Sequence, residues 1–173
     1  NDFADHAIDG KVGRTQRRPL VLGSLTRKDA FLCFALLSLI SFCLVLMTNE
    51  RTIILSFAAV ALVAVYPFMK RFTNLPQLVL GIAFSWGILM AFSAATGNIP
   101  QPAYLLFVAN CLWTVAYDTQ YAMVDREFDL KIGVKSTAIL FGDADKVIIG
   151  GLQVMFILAL IFAGQQFKLG TSY

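Results

Sequence analysis

Long uncharged stretches alternate with short charged ones along this chain, and that alternation predicts its elements. Residues 30–49, 52–69, 76–96 and 147–167 contain no Asp, Glu, Lys or Arg. Each is close to the ~20 helical residues that cross the ~30 Å hydrocarbon core of a bilayer. A fifth stretch, 103–124, reaches the same length and carries Asp118 near its end. The pattern predicts an all-α integral membrane protein, an antiparallel transmembrane helix bundle with five spans. Residues 1–173 read as a single membrane domain, and as a fragment incomplete at both ends. The chain begins without Met inside an acidic motif and stops just after an apolar span.

Local signals set the helix ends. Thr26-Arg27-Lys28-Asp29 offers a hydroxyl N-cap with an acid three residues later, and Pro76 stands where a helix tolerates a missing N–H. Residues 97–102, Gly-Asn-Ile-Pro-Gln-Pro, predict a break between the third and fourth spans.

Composition supports the lipid reading. The chain is 58% hydrophobic and 14% charged, against roughly a quarter charged in soluble domains. Cys33, Cys43 and Cys111 lie in apolar stretches without metal-ligand spacing, so they are expected as small buried apolar residues. The single His6 is not expected to be a ligand, and nothing in the chain calls for a nucleic-acid partner.

Charge adds an orientation. With residues 1–29 inside, 70–75 and 118–146 are inside too, and all 14 Lys and Arg except Arg51 and Lys168 fall there. Excess Lys and Arg mark the cytoplasmic side. Ten of the 11 acidic residues, all but Glu50, fall on that side as well. The membrane is expected to be a bacterial inner membrane, or the mitochondrial inner membrane.

The acids are ordered. Asn1, Asp5 and Asp9 stand at four-residue steps, and Asp118, Asp125 and Asp129 at steps of seven and four, so each set shares one helix face. Carboxylates beside lipid are costly and mark function by default. Four crossings separate the two sets, which puts them on the same side and lets them converge. Oxygen donors without Cys suit Mg²⁺, which usually holds a substrate phosphate at the same time. Arg14, Arg17, Arg18, Lys131 and Lys135 stand nearby to neutralise that phosphate. A diphosphate would be stabilised there as a leaving group. An isoprenoid attached to it would need an apolar cavity, which a bundle containing 15 Phe can provide.

These motifs resemble a known family. Asn-Asp-x-x-Asp-x-x-x-Asp at 1–9, followed by Arg14-Thr15 and Arg18-Pro19-Leu20, is similar to the first motif of the UbiA-type intramembrane prenyltransferases. Tyr117-Asp118-x-x-Tyr121-Ala122-x-x-Asp125-x-x-x-Asp129 resembles the second. Residues 131–138, Lys-Ile-Gly-Val-Lys-Ser-Thr-Ala, and 66–71, Tyr-Pro-Phe-Met-Lys-Arg, resemble the 4-hydroxybenzoate polyprenyltransferase branch of ubiquinone biosynthesis.

The resemblance implies a fold of nine transmembrane helices, of which this chain would hold helices three to seven, with a cytoplasmic active site. It implies Mg²⁺ on Asn1, Asp5, Asp9, Asp125 and Asp129, and a polyprenyl diphosphate and 4-hydroxybenzoate as substrates. Asp5, Asp9, Asp125, Asp129 and Arg71 would serve catalysis, with Arg71 on the aromatic carboxylate. Asn1, Arg14, Arg18, Tyr117, Asp118, Lys131 and Lys135 would bind diphosphate or aromatic acid. Glu127 and Phe128 depart from the more acidic run of that branch without disturbing the ligand spacing.

Other readings fit less well. Homogentisate, naphthoate or haem acceptors are set against the Arg71 turn and the 131–138 stretch. A CDP-alcohol phosphotransferase would need an Asp-Gly start and an Ala-Arg step, which are absent. A divalent-cation transporter would place acids near the midplane on broken helices. Here they stand at helix ends beside Arg and Lys.

Overall fold

The structure, a computed structural model, describes residues 2, 3, 5, 10 and 15–170. Its described residues form helices and connecting turns without strands. By contacts the chain divides into two compact units, Asn1–Thr48 and Asn49–Tyr173.

In the first unit Asp2, Phe3 and Asp5 are helical, and α1 spans Arg27–Leu46. The capping box expected at Thr26 forms. Asp29 N–H donates to Thr26 Oγ1 at 3.2 Å, and Thr26 N–H donates to Asp29 Oδ2 at 2.8 Å. No residue of α1 is buried. Cys33 and Cys43, expected inside, are therefore exposed. An apolar helix that buries nothing in protein finds its apolar surroundings in lipid.

The second unit holds α2 (Glu50–Phe72), α3 (Pro76–Thr96), α4 (Gln101–Ile132), the short α5 (Thr137–Phe141), a 3₁₀ turn (Gly142–Ala144) and α6 (Asp145–Gln166). Asn49 caps α2 by accepting from Thr52 N–H at 3.0 Å, so Glu50 and Arg51 lie in its first turn. Pro76 opens α3 as expected, and Gly97 closes it at φ 72°. The order of packing is α2 on α3, α3 on α4, and α4 on α6, with α4 central.

Small and polar residues make these contacts, as they do where lipid replaces water. The buried side of α3 reads Gln77, Gly81, Ser85, Leu89, Ser93, at four-residue steps. Asn110 Nδ2 donates to Ser85 Oγ at 3.1 Å, Thr52 Oγ1 to Ser93 Oγ at 2.8 Å, and Trp86 Nε1 to the Leu55 carbonyl at 2.9 Å. Large apolar residues such as Phe57, Val60 and Phe84 face outward, each 62% or more exposed. The unit is inside-out by the standard of a soluble domain.

Among the described residues, four segments are long and apolar enough to cross a membrane by length and composition: Arg27–Leu46, Glu50–Phe72, Pro76–Thr96 and Thr137–Gln166. The fifth expected span, 103–124, lies within α4, a 32-residue helix. At ~1.5 Å per residue α4 is longer than the bilayer core, so it can cross and still extend beyond it. Asn110, Thr114, Asp118, Thr119 and Gln120 make this stretch less apolar than the other four. Its charged end, Asp125–Lys131, stays helical until Gly133 stops it in the left-handed conformation at φ 72°.

Candidate functional site

The expected site residues divide between the two units. Asn1, Asp9 and Arg14 lie outside the described residues, as does His6. In the first unit Asp5 is buried, 5% exposed, on the helical segment that begins the chain. Arg18, expected on a phosphate, pairs with Asp2 at 2.8 Å. Arg27 donates to the Phe3 carbonyl at 3.2 Å and lies 4.5 Å over the Phe3 ring. Arg18 and Arg27 thus each hold a described residue of the acidic segment. Salt-bridged Arg18 is not spent by that contact, since a guanidinium has five donors.

In the second unit the site is the last third of α4. Four-residue steps place Trp113, Tyr117, Tyr121, Asp125 and Asp129 along one helical ridge, three aromatic rings followed by two carboxylates. Trp113 and Tyr117 stack with centroids 6.4 Å apart, and Tyr117 and Tyr121 meet edge-on at 5.0 Å. The Tyr117 hydroxyl donates to that of Tyr121 at 3.2 Å. All three rings are about half exposed.

Asp125 and Asp129 are half-buried and stand ~6 Å apart along the axis. Asp118 is also half-buried but lies ~10 Å from Asp125 along the axis, too far to share one ion with it. Among the described residues no three His, Cys, Asp or Glu side chains gather into a closed cage. Two hard carboxylates four residues apart suit a divalent cation that keeps other oxygen ligands, from water, phosphate or a second acidic segment. The donor chemistry fits.

The turn after α4 carries the two lysines. Gly133 and Val134 both donate to the Asp129 carbonyl, the latter at 3.0 Å, which fixes the turn on which Asp129 stands. Lys131 Nζ lies 5.7 Å over the Phe128 ring. Lys135 is engaged twice: its N–H donates to the Lys70 carbonyl at 2.9 Å, and its ammonium to the Phe72 carbonyl at 3.3 Å. These bonds join the end of α2, which bears Arg71, to the basic loop. The exposed Arg71 guanidinium lies 5.3 Å from the Phe68 ring centroid. Structure therefore brings Arg71, Lys135 and the turn bearing Asp129 into one neighbourhood.

Three residues to which the sequence reading gave no role of their own hold this neighbourhood in place. Gln77 Oε1 accepts from Thr137 N–H at 3.0 Å, and the hydroxyls of Thr137 and Thr119 share a hydrogen bond of 2.6 Å. All three are buried, and Thr119 and Thr137 are 0% exposed. Isolated polar residues in apolar spans were the available sequence signal. Gln77→Leu is expected to leave the Thr137 N–H buried without a partner, lowering stability by about 1–3 kcal/mol. A thermal melt of the purified protein checks it, and an unchanged midpoint would contradict it.

Comparison with known proteins follows the same lines. A family model described as the UbiA prenyltransferase family matches residues 1–172. A Pseudomonas aeruginosa (strain LESB58) protein named 4-hydroxybenzoate octaprenyltransferase is 60% identical over 173 residues, 100% of this chain and 58% of its own. A protein of the same name from Pseudomonas fluorescens (strain SBW25) is 61% identical over 170 residues, 98% of this chain and 57% of its own. Among solved structures, the apo structure of a UbiA homolog from Aeropyrum pernix K1 superposes with a TM-score of 0.87 at 28% identity. That match covers 98% of this chain and 65% of the other. The chain spans 58% of the length of the first of these curated relatives.

Proposed function

Because this chain belongs to the UbiA prenyltransferase family, we propose that the protein transfers an all-trans polyprenyl group from polyprenyl diphosphate to 4-hydroxybenzoate, at the cytoplasmic face of its membrane. The allylic C–O bond to diphosphate breaks, a C–C bond forms at the ring carbon ortho to the hydroxyl, and the ring loses a proton. The names of the Pseudomonas relatives support the acceptor and the prenyl donor.

One observation carries the reading: the Lys135 N–H to Lys70 carbonyl bond, which sets Arg71 beside the basic loop that follows the acidic ridge. An acceptor carboxylate held by Arg71 would then lie beside a diphosphate held by Lys131 and Lys135. Arg14 and Arg18 would add contacts from the first motif, and Tyr117 and Asp118 would border the reacting carbons. Asp125 and Asp129, with Asn1, Asp5 and Asp9, would hold Mg²⁺, whose charge stabilises the departing diphosphate. Exclusion of water from the site would protect the allylic cation, which would otherwise be hydrolysed. The aromatic ridge from Tyr121 to Trp113 would give the first isoprene units an apolar wall.

The test uses the whole protein in membranes with polyprenyl diphosphate, radiolabelled 4-hydroxybenzoate and Mg²⁺. Label is expected to enter the lipid fraction, and Arg71→Ala to raise KM for the aromatic acid about tenfold with a smaller change in kcat, because a binding contact common to ground and transition states is lost. No transfer to 4-hydroxybenzoate, with homogentisate or a naphthoate prenylated instead, would overturn the acceptor. No transfer to any acceptor would overturn the enzyme reading.

A further inference from the structure

Arg126 stands between the two carboxylates of the ridge, and its position poses an electrostatic problem. It follows Asp125 directly and precedes Asp129 by three residues, a spacing at which helix side chains meet. An arginine so placed can pair with Asp129 in fork geometry and compete with a cation for the same oxygens.

Its guanidinium goes elsewhere. Arg126 Nη2 pairs with Asp145 Oδ2, while Asp145 Oδ1 accepts from the Lys146 N–H. Asp145 is the first residue of α6, 19 residues further along, and is 5% exposed. Arg126 Nε is buried without an acceptor, so the ion pair to Asp145 is what orients the group. The pair is part-buried, the Arg126 side chain 27% and that of Asp145 7% exposed, and such a pair seldom offsets its desolvation by a wide margin.

We propose that Asp145 is a positioning residue for the cation site. It draws the Arg126 guanidinium to the start of α6 and neutralises its charge, so that Arg126 neither pairs with Asp129 nor repels a divalent cation at Asp125 and Asp129. Asp145, at the start of α6, thereby sets the cation affinity of the ridge through Arg126. This inference rests on the reading of α4 as a cation-binding helix, and the experiment separates the two.

The whole protein is purified in detergent as wild type, Asp145→Asn, Arg126→Gln and the double variant. Mn²⁺ alone is titrated and free Mn²⁺ followed by electron paramagnetic resonance, and thermal melts are recorded in parallel. Asp145→Asn is expected to weaken Mn²⁺ binding about tenfold, the scale of one uncompensated charge beside a bound ion. Arg126→Gln is expected to bind Mn²⁺ at least as tightly as wild type, although it too lowers the melting temperature by leaving Asp145 buried and unpaired. The double variant is expected to return to within about twofold of wild type, the competing charge being gone. Affinity thus falls in one variant and not in the other, although both lose stability. Parallel losses of affinity in both single variants would mean a scaffold role and overturn the proposal, as would unchanged affinity in Asp145→Asn. No Mn²⁺ binding by wild type would overturn the cation reading itself, and this inference with it.

Discussion

Asp125→Asn in the whole protein is expected to reduce prenyl transfer by about a hundredfold to a thousandfold while leaving the thermal melt nearly unchanged. Asparagine keeps the shape of aspartate, and Asp125 is half-buried at the polar end of α4, so packing is little disturbed. What changes is charge. A neutral amide oxygen is a poorer ligand for a hard divalent cation, and with Asp125 holding Mg²⁺ as proposed its loss would weaken stabilisation of the departing diphosphate. Removal of a single charge-stabilising group at such a centre commonly costs two to three orders of magnitude, ~3–4 kcal/mol. Raising Mg²⁺ should recover part of the rate, because affinity is one component of the loss. Label transfer assays at several Mg²⁺ concentrations measure this. A rate within about tenfold of wild type would remove Asp125 from the machinery.

The second large effect is structural, at Gly81. A Cβ there would stand 2.9 Å from Cys111 Sγ and 3.1 Å from the Cys111 carbonyl oxygen. Gly81 is buried where α3 crosses α4. The sulfur can rotate away, but the carbonyl belongs to the α4 backbone and can yield only if the helices part. Gly81→Ala is expected to destabilise by about 1–3 kcal/mol and Gly81→Leu by more, as overpacking does in a filled interior. Cys111→Ala should restore only part of the Gly81→Ala loss, since it removes the sulfur contact and leaves the carbonyl contact. Because α4 carries Asp125 and Asp129, any separation of the helices displaces the site too, and activity should fall together with stability. Thermal melts of the three variants decide the matter. An unchanged midpoint in Gly81→Ala would show that the two helices are not packed this closely.

Much of this architecture could be read before any coordinates. Lipid imposes a length and forbids charge, so the uncharged runs 30–49, 52–69 and 76–96 marked the helices Arg27–Leu46, Glu50–Phe72 and Pro76–Thr96. The acidic ridge was visible because helical geometry turns steps of four and seven into one face. The end of α4 was harder. Charge at 125 looked like the close of a span, yet outside the hydrocarbon an acidic and basic segment can remain helical, and Gly133 rather than Asp125 ended it. Pairings between distant segments were not visible at all. Gln77 and Thr137 are 60 residues apart, and Arg126 and Asp145 are 19 apart, with nothing in either local pattern to select the partner. Lys135 shows the same limit from the other side. Its charge suggested a phosphate, while packing also gave its ammonium the carbonyl of Phe72. Motif spacing reveals which residues share a helix, and only the folded chain reveals what each is tied to.

The proposed function requires the acidic set beginning at Asn1 and the acidic set on α4 to serve one diphosphate from the same side of the membrane. Cross-linking tests it most directly. In the whole protein, with Cys33, Cys43 and Cys111 replaced by alanine, Asp5→Cys is combined with Asp125→Cys and treated in membranes with a short bifunctional maleimide. A linked peptide pair found by mass spectrometry, absent when Asp5→Cys is instead combined with Arg51→Cys, is the predicted result. Failure of Asp5→Cys and Asp125→Cys to link, with each labelled by an impermeant thiol reagent from opposite sides of the membrane, would contradict the account.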